Sequence, residues 1–323
     1  MIVISEQEAR GLVGMRDAIG AVEEAFVRIA RGDARNYPVV RESVGLQDGI
    51  FGIKSGMGSI APVLGLKAGG YWPHNVDKGL TNHQSSTLLF DARTGQVEAL
   101  VSANHLTGVR TGAAAALATR HLSRADSETL GVIGTGVQAF YQLEAMRAVR
   151  TIRRVIAWSP VAEQLLAFGR IVDQLGIEFE AMPGPREVAG ACDVLVTVTP
   201  SQRAIVEADW IRPGTHVNAM GADTRGKQEF APEVVASAAL FTDETQQSVT
   251  IGELQHAYAG GLIELDDIRG TLGDVVAGTS LGRLGDQEIT FFDGTGVALQ
   301  DLAVARLAVR LAVEKGVGSR VQY

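Results

Sequence analysis

The 323-residue chain carries a single cysteine, Cys192. One thiol excludes an internal disulfide and a cysteine-built zinc site, and its place just before the apolar run "DVLVTVT" reads as a buried small residue. Long hydrophobic runs are missing too: "TGAAAALA" from Thr111 is far shorter than a bilayer span. The opening "MIVISEQEAR" lacks the basic start and apolar stretch of a secretory signal, so a soluble, cytoplasmic protein without a membrane partner is expected. Proline is scarce, 9 residues against 38 glycines, and no segment reads as low-complexity or as a repeat. Positive charge is short as well. Its 29 Lys and Arg against 37 Asp and Glu leave −8, which argues against nucleic acid but not against a small anion, because local arginines can oppose the global sign.

What is present suffices for two domains. Ser5 with Glu8 forms a capping-box pattern, and Ile19, Val22, Phe26 and Ile29 then recur at helical spacing until Gly32, which predicts an amphipathic helix. From Pro38 to Asn104 the runs become strand-like: "PVVRESV", "GIFGIKSGM", "VLGLKAGGYW", and the pair "SSTLLFD" and "QVEALVS" joined by "ARTG" as a hairpin. A small-residue helix is predicted from Asn104 to about Leu122. Beyond it, apolar strands "LGVIG", "RVIAW", "IEFEAM", "DVLVTVT", "THVNAMG" and "ALFTD" alternate with helical segments, the rhythm of a parallel sheet covered on both faces. The fold class is therefore α/β, with a doubly wound domain over about residues 123–295. A last helix, "GVALQDLAVARLAVRLAVEKG", is apolar over most of its surface and is expected to pack back onto the first domain.

The stretch "LGVIGTGVQA" holds a G-x-G-x-x-A pattern at Gly134, Gly136 and Ala139, a dinucleotide fingerprint when a strand precedes it and a helix follows. Thr135, Val137 and Gln138 complete that turn, and Ser159, Thr199 and Met220 follow the strands "RVIAW", "DVLVTVT" and "THVNAMG". All are candidate cofactor contacts. The second strand ends in "WSP", with neither an acid for the ribose of NAD nor an arginine for the phosphate of NADP. Absence of the arginine favours NAD(H), with NADP(H) kept open because Arg153 or Arg154 could reach. Three charges sit where the sequence otherwise reads as buried: Lys67 within "VLGLKAGG", Arg110 in a helix of small residues, and Asp223 after "HVNAMGA". Each needs a partner. Arg110 suits a carboxylate or a structural ion pair; Lys67 suits a salt bridge as well as a ligand; Asp223 suits chemistry at a sheet's carboxyl edge or a helix N-cap.

The ordered motifs "LGLKAGGYWPHN", "NHQSSTLLFDARTG", "LTGVRTGAAAALA", "LGVIGTGVQA", "NAMGADTRGKQE" and "FFDGTGVALQDLA" resemble the ornithine cyclodeaminase/mu-crystallin family over nearly the whole chain. The resemblance implies a Rossmann-type domain, residues 123–295, inserted in a β-rich α+β domain of residues 1–122 with 296–323 that binds substrate and forms a homodimer. It places Arg41, Lys67 and Arg110 on the α-carboxylate of an amino or imino acid and Asp223 beside the reacting nitrogen. Asn82, His83 and Thr111 would reach the cofactor, and no metal is expected. The implied activity is that of an NAD(P)-dependent oxidoreductase on CH–NH2 or C=N groups, and "LKAGGYWPHN…GLTNHQSST" is most like the branch that reduces iminosuccinate to L-aspartate. A second carboxylate then needs its own cation, for which Arg41 is the candidate. Ornithine or lysine cyclodeaminase, alanine dehydrogenase, ketimine reductase and a non-catalytic ligand carrier are the alternatives.

Overall fold

The computed structural model describes residues 1–59 and 62–322. By internal contacts the chain forms two units, Met1–Arg110 with Val297–Tyr323, and Thr111–Gly296. The first boundary falls inside a helix that the sequence reading assigns whole to the first domain.

The first unit begins with β1 (Ile2–Ile4), α1 (Glu6–Leu12) and α2 (Met15–Ala30). The capping box forms, with the Glu8 amide donating to Ser5 Oγ at 3.3 Å and the Ser5 amide to the Glu8 carboxylate at 2.8 Å. It starts the short α1, not the amphipathic helix: Val13 and Gly14 are extended and split the expected element in two. In α2, Ile19, Val22 and Phe26 are buried as their spacing demands. Then come β2 (Ala34–Asn36), β3 (Val40–Ser43), β4 (Ile50–Gly58), β5 (Val63–Tyr71), β6 (His83–Phe90), β7 (Val97–Ser102) and α3 (Asn104–Leu122). Strands β4 to β7 form an antiparallel meander in which successive side chains change face. Lys54, Lys67, Thr87, Leu89 and Val101 point to the buried side.

The second unit runs β8 (Thr129–Ile133), α4 (Val137–Val149), β9 (Arg154–Trp158), α5 (Ala162–Gln174), β10 (Glu178–Ala181), α6 (Pro185–Ala189), β11 (Val194–Thr197), β12 (Gln202–Val206) and β13 (His216–Ala219). It continues with β14 (Gln228–Phe230), α7 (Pro232–Ala236), β15 (Ala239–Thr242), α8 (Thr245–Ile251), α9 (Gln255–Ala259), β16 (Ile268–Thr271), α10 (Leu272–Ala277) and β17 (Thr290–Asp293). Eight strands form one parallel sheet in the order β10-β9-β8-β11-β13-β17-β15-β16. The order reverses between β8 and β11, the switch point at which such sheets bind ligands. Strand β17 went unread in the sequence although all four of its residues are buried between β13 and β15. Its "TFFD" is too short to show a period, and the following "DGTG" reads as a turn. Cys192 is buried, as expected, and burial pushes its thiol up to about 12.

The chain returns to the first unit with α11 (Ala298–Lys315) and β18 (Ser319–Arg320), and β18 completes the order β18-β1-β7-β6-β5-β4-β2, with β3 paired to β4. Helix α11 covers the inner face of this sheet, as expected. A Cβ on Gly65 would stand 2.8 Å from Leu302, so the missing side chain is what lets the helix lie close. Among the described residues no helix is long and apolar enough to cross a membrane.

Candidate active site

On the inner face of the first unit, Lys67 and Arg110 meet at Asp301, a residue the sequence reading passed over. Lys67 Nζ and Arg110 Nε each lie 2.9 Å from Asp301 Oδ1, and a guanidinium nitrogen of Arg110 donates to Gln300 at 3.1 Å. All three ionic side chains are buried. Burial pushes the Asp301 carboxyl up, but Lys67, Arg110 and Lys54 outweigh it and hold it below the usual carboxylate range. Burial drives Lys67 the other way, down to about 8, with Asp301 pulling it back and Arg110 and Arg41 lowering it further. Arg41 lies on β3 opposite Gly52, where a Cβ would come 3.7 Å from Arg41 Nε. Four cations, Arg41, Lys54, Lys67 and Arg110, thus act electrostatically on each other or on one carboxylate. The alternatives for Lys67 and Arg110, ion pair or ligand anchor, are not exclusive: both make the pair with Asp301.

The signal for Asp301 was there, an acid in the otherwise apolar "GVALQDLAVARLAV", and so was that for Lys54, a charge inside the strand "GIFGIKSGM". Asn82, just before β6, accepts from the Val76 amide at 3.1 Å and donates to the Tyr71 hydroxyl at 3.3 Å. His83 opens β6 opposite Tyr71. Thr111 is a buried residue of α3 and the first of the second unit.

In the second unit the expected cofactor residues collect at one end of the sheet. Gly134 follows β8 with φ +91°, a left-handed conformation open to glycine, and a Cβ there would meet Thr199 Cγ2 at 2.7 Å. Gly136 is the N-cap of α4, and a Cβ there would find its nearest atom 3.8 Å away, so the space above the helix start is open. Thr135 Oγ1 and Gln138 Oε1 are buried without a hydrogen-bond partner among the described residues. Together with the Val137 and Gln138 amides that open α4, they fit a pyrophosphate and its neighbouring hydroxyls. Ala139 is fully buried, Val137 is exposed, Ser159 accepts from the Val161 amide, and Met220 lies against Gly294. Arg153 and Arg154, by contrast, stand at the opposite end of β9, roughly 15 Å of strand away from Ser159. They pair with Glu128 and with Glu178 and Glu180, which corrects the expectation that either could reach a phosphate at that turn.

Asp223 lies in the loop after β13, partly exposed, 2.8 Å from Lys227 Nζ and 3.2 Å from Thr224 Oγ1. No helix begins there, so the N-cap reading fails. The loop is positioned by Glu229, also unread in the sequence: its buried carboxylate accepts from Thr197 Oγ1 at 2.7 Å, the Thr199 amide at 2.7 Å and the Gly221 amide at 3.0 Å. It thereby ties the end of β11 to the segment between Met220 and Asp223.

Comparison with known proteins agrees with this arrangement. The model of the ornithine cyclodeaminase/mu-crystallin family matches residues 2–316. The iminosuccinate reductase of Paracoccus denitrificans (strain Pd 1222) is 48% identical over 322 residues, covering 100% of both chains. The crystal structure of that protein in complex with NAD+ superposes with a TM-score of 0.94 at 46% identity, over 100% of this chain and 99% of the other. An archaeal alanine dehydrogenase dimer with bound NAD gives a TM-score of 0.95 at 37% identity, over 100% and 99%. On the family match alone, and on relatives of this identity across its whole length, the chain belongs to the ornithine cyclodeaminase/mu-crystallin family.

Proposed function

We propose that this chain is an NAD(H)-dependent imine reductase that converts iminosuccinate to L-aspartate. The observation that carries the reading is the cluster of buried Lys54, Lys67 and Arg110 with half-buried Arg41 near Asp301. A cluster of four cations suits a substrate with more than one carboxylate. It disfavours ornithine or lysine, whose distal ammonium would add a cation to cations. When bound at the Gly134–Gly136 turn, NADH supplies the hydride that reaches Cα, a proton goes to the nitrogen, and L-aspartate and NAD+ result. Arg110, Lys67 and Arg41 hold the α-carboxylate and so fix which face of Cα is presented. Asp223 stabilises the positively charged iminium nitrogen or passes its proton, with Lys227 setting the carboxylate's position. A carrier without chemistry has no use for that acid.

The turn after β9 lacks a cation for a 2′-phosphate, which supports NAD(H) over NADP(H). The outer face of the first unit's sheet supports a homodimer: Phe51, Ile53, Met57, Leu66, Leu88 and Leu100 remain half-buried or exposed there among the described residues. The deciding experiment is NADH oxidation with ammonia and oxaloacetate, pyruvate or glyoxylate in turn, and L-ornithine tested for ammonia release. Oxaloacetate with ammonia, the source of iminosuccinate, is expected to be consumed far faster than the others. A preference for pyruvate, or turnover of ornithine, overturns the reading.

A further inference from the structure

The placement of Lys54 is costly. It is buried on the inner face of β4, directly opposite the equally buried Lys67 on β5. Directly opposed residues on one sheet face have their Cβ atoms about 5 Å apart, and like charges so placed repel. Asp301 meets Lys67 and Arg110 through the same oxygen, Oδ1, while its Oδ2 is buried without a hydrogen-bond partner among the described residues. Lys54 is nevertheless near enough to lower the Asp301 carboxyl.

The neighbours of Lys54 define where an anion would meet it. Along β4 the same face carries Gly56 on one side and Gly52 on the other. Above Gly56 lies Leu299 of α11, whose Cγ stands 3.5 Å from where a Cβ would be, so that side is closed by apolar packing. Above Gly52 lies the Arg41 guanidinium. Arg41, Lys54 and Lys67 therefore occupy one face of three adjacent strands, β3, β4 and β5, with a residue lacking a side chain between the first two. Lys67 and Arg110 are pre-oriented by their shared acid and form a natural receptor for one carboxylate. Lys54 is displaced from them by one strand spacing, about the separation of the two carboxylates of a four-carbon diacid.

We propose that Lys54 receives the second carboxylate of the substrate and sets the preference for a dicarboxylic over a monocarboxylic imine, leaving Arg41 to the α-carboxylate. This rests on the reading of the site as an imine reductase for iminosuccinate. Every substrate of such a site shares the α-carboxylate, so a residue on that group affects all of them alike, whereas one on the distal group acts on the diacid alone.

The test is Lys54→Met, close in shape and without charge. Two pairs of ligands are measured: oxaloacetate or pyruvate with ammonia for turnover, and the unreactive succinate or propionate for inhibition or, without turnover, for direct binding by calorimetry. With the diacid, kcat/KM is expected to fall on the order of a hundredfold, mostly through KM, and succinate binding to weaken by a similar factor. With pyruvate and with propionate the change stays within about threefold, and NADH binding followed by fluorescence is unchanged. Equal losses on both substrates, or an unaltered diacid preference, overturn the assignment. Lys54→Arg guards against misfolding of the first variant: it keeps the charge and is expected to keep the preference for succinate over propionate, and its loss there counts equally against the proposal. Should the parent protein fail to turn over oxaloacetate with ammonia, the functional reading falls, while succinate against propionate still decides the role of Lys54.

Discussion

Two buried charge clusters, one in each unit, are managed in opposite ways. In the first, Lys67 and Arg110 pair with Asp301, and the acid is held below its usual range by the cations around it. In the second, Glu229, Glu253 and Asp293 lie fully or almost fully buried, and their hydrogen-bond partners include backbone amides and the Thr197 hydroxyl. No arginine or lysine is among these partners. Burial raises all three carboxyls, and Glu253 and Asp293 are driven well above the ordinary range, Glu253 also by Glu229 and Asp293 by Asp243. One cluster keeps its charge, whereas in the other burial favours the protonated acid. Charge retained at this cost marks the place that meets a charged ligand; charge discarded marks a group kept for its hydrogen-bond geometry.

The sharpest way to break the comparison is to make the same edit, carboxylate to amide, in both clusters. Asp301→Asn removes the shared counter-charge of Lys67 and Arg110 while preserving shape. Breaking a buried pair by removing one partner leaves an uncompensated charge, so a loss of about 3 kcal/mol is expected in urea unfolding at pH 7. Added succinate should restore much of the loss by standing in for the missing charge. A variant as stable as the parent would show that Asp301 is not what keeps the cations inside.

A smaller effect follows from Lys67, whose ammonium burial pushes down to about 8. Below that pH the group is charged and attracts a carboxylate; above it the group is neutral and the attraction is lost. Succinate is fully ionised throughout this range, so its own titration does not intrude. Its inhibition constant is expected to rise about tenfold between pH 7 and pH 9. Lys67→Met should flatten that profile at the weaker value, and a step surviving in the variant would belong to another group.

How much of this was legible in the sequence depends on whether a signal was local. The glycine turn, the meander and α3 announce themselves in short windows, through Gly134 and Gly136, the alternation of β4 to β7, and the small residues after Asn104. Lys67, Arg110 and Asp223 stood out because each contradicts its apolar surroundings. Asp301 and Lys54 contradict theirs just as plainly, yet the partner of Arg110 lies 191 residues away, and only folding names it. Glu229 was hidden for another reason: within "RGKQEF" it reads as one more surface charge, and its burial depends on β14 pairing with β12. Strand β17 failed on length alone. The break at Val13 and Gly14 failed because the apolar spacing of the flanking helices carries no record of a change in backbone direction.

The second half of the paired edit is expected to have the smallest effect and the opposite sign. Glu253 Oε1 accepts from the Glu229 amide at 2.8 Å and the Phe230 amide at 2.7 Å, whereas Oε2 is buried without a partner. Glu253→Gln keeps the accepting oxygen and removes the ionisation. Because burial raises this carboxyl well above its ordinary 4.5, the folded state holds its proton to a higher pH than the unfolded state does. Stability contributed by the group is therefore complete below pH 4.5 and declines as the pH rises above it. The amide has no such dependence. Glu253→Gln should match the parent near pH 4 and exceed it by about 1 kcal/mol at pH 8, read as a higher midpoint in thermal unfolding at the alkaline end only. A loss of stability at pH 8 would mean that Glu253 is ionised in the fold, and the contrast between a cluster that keeps its charge and one that sheds it would no longer hold.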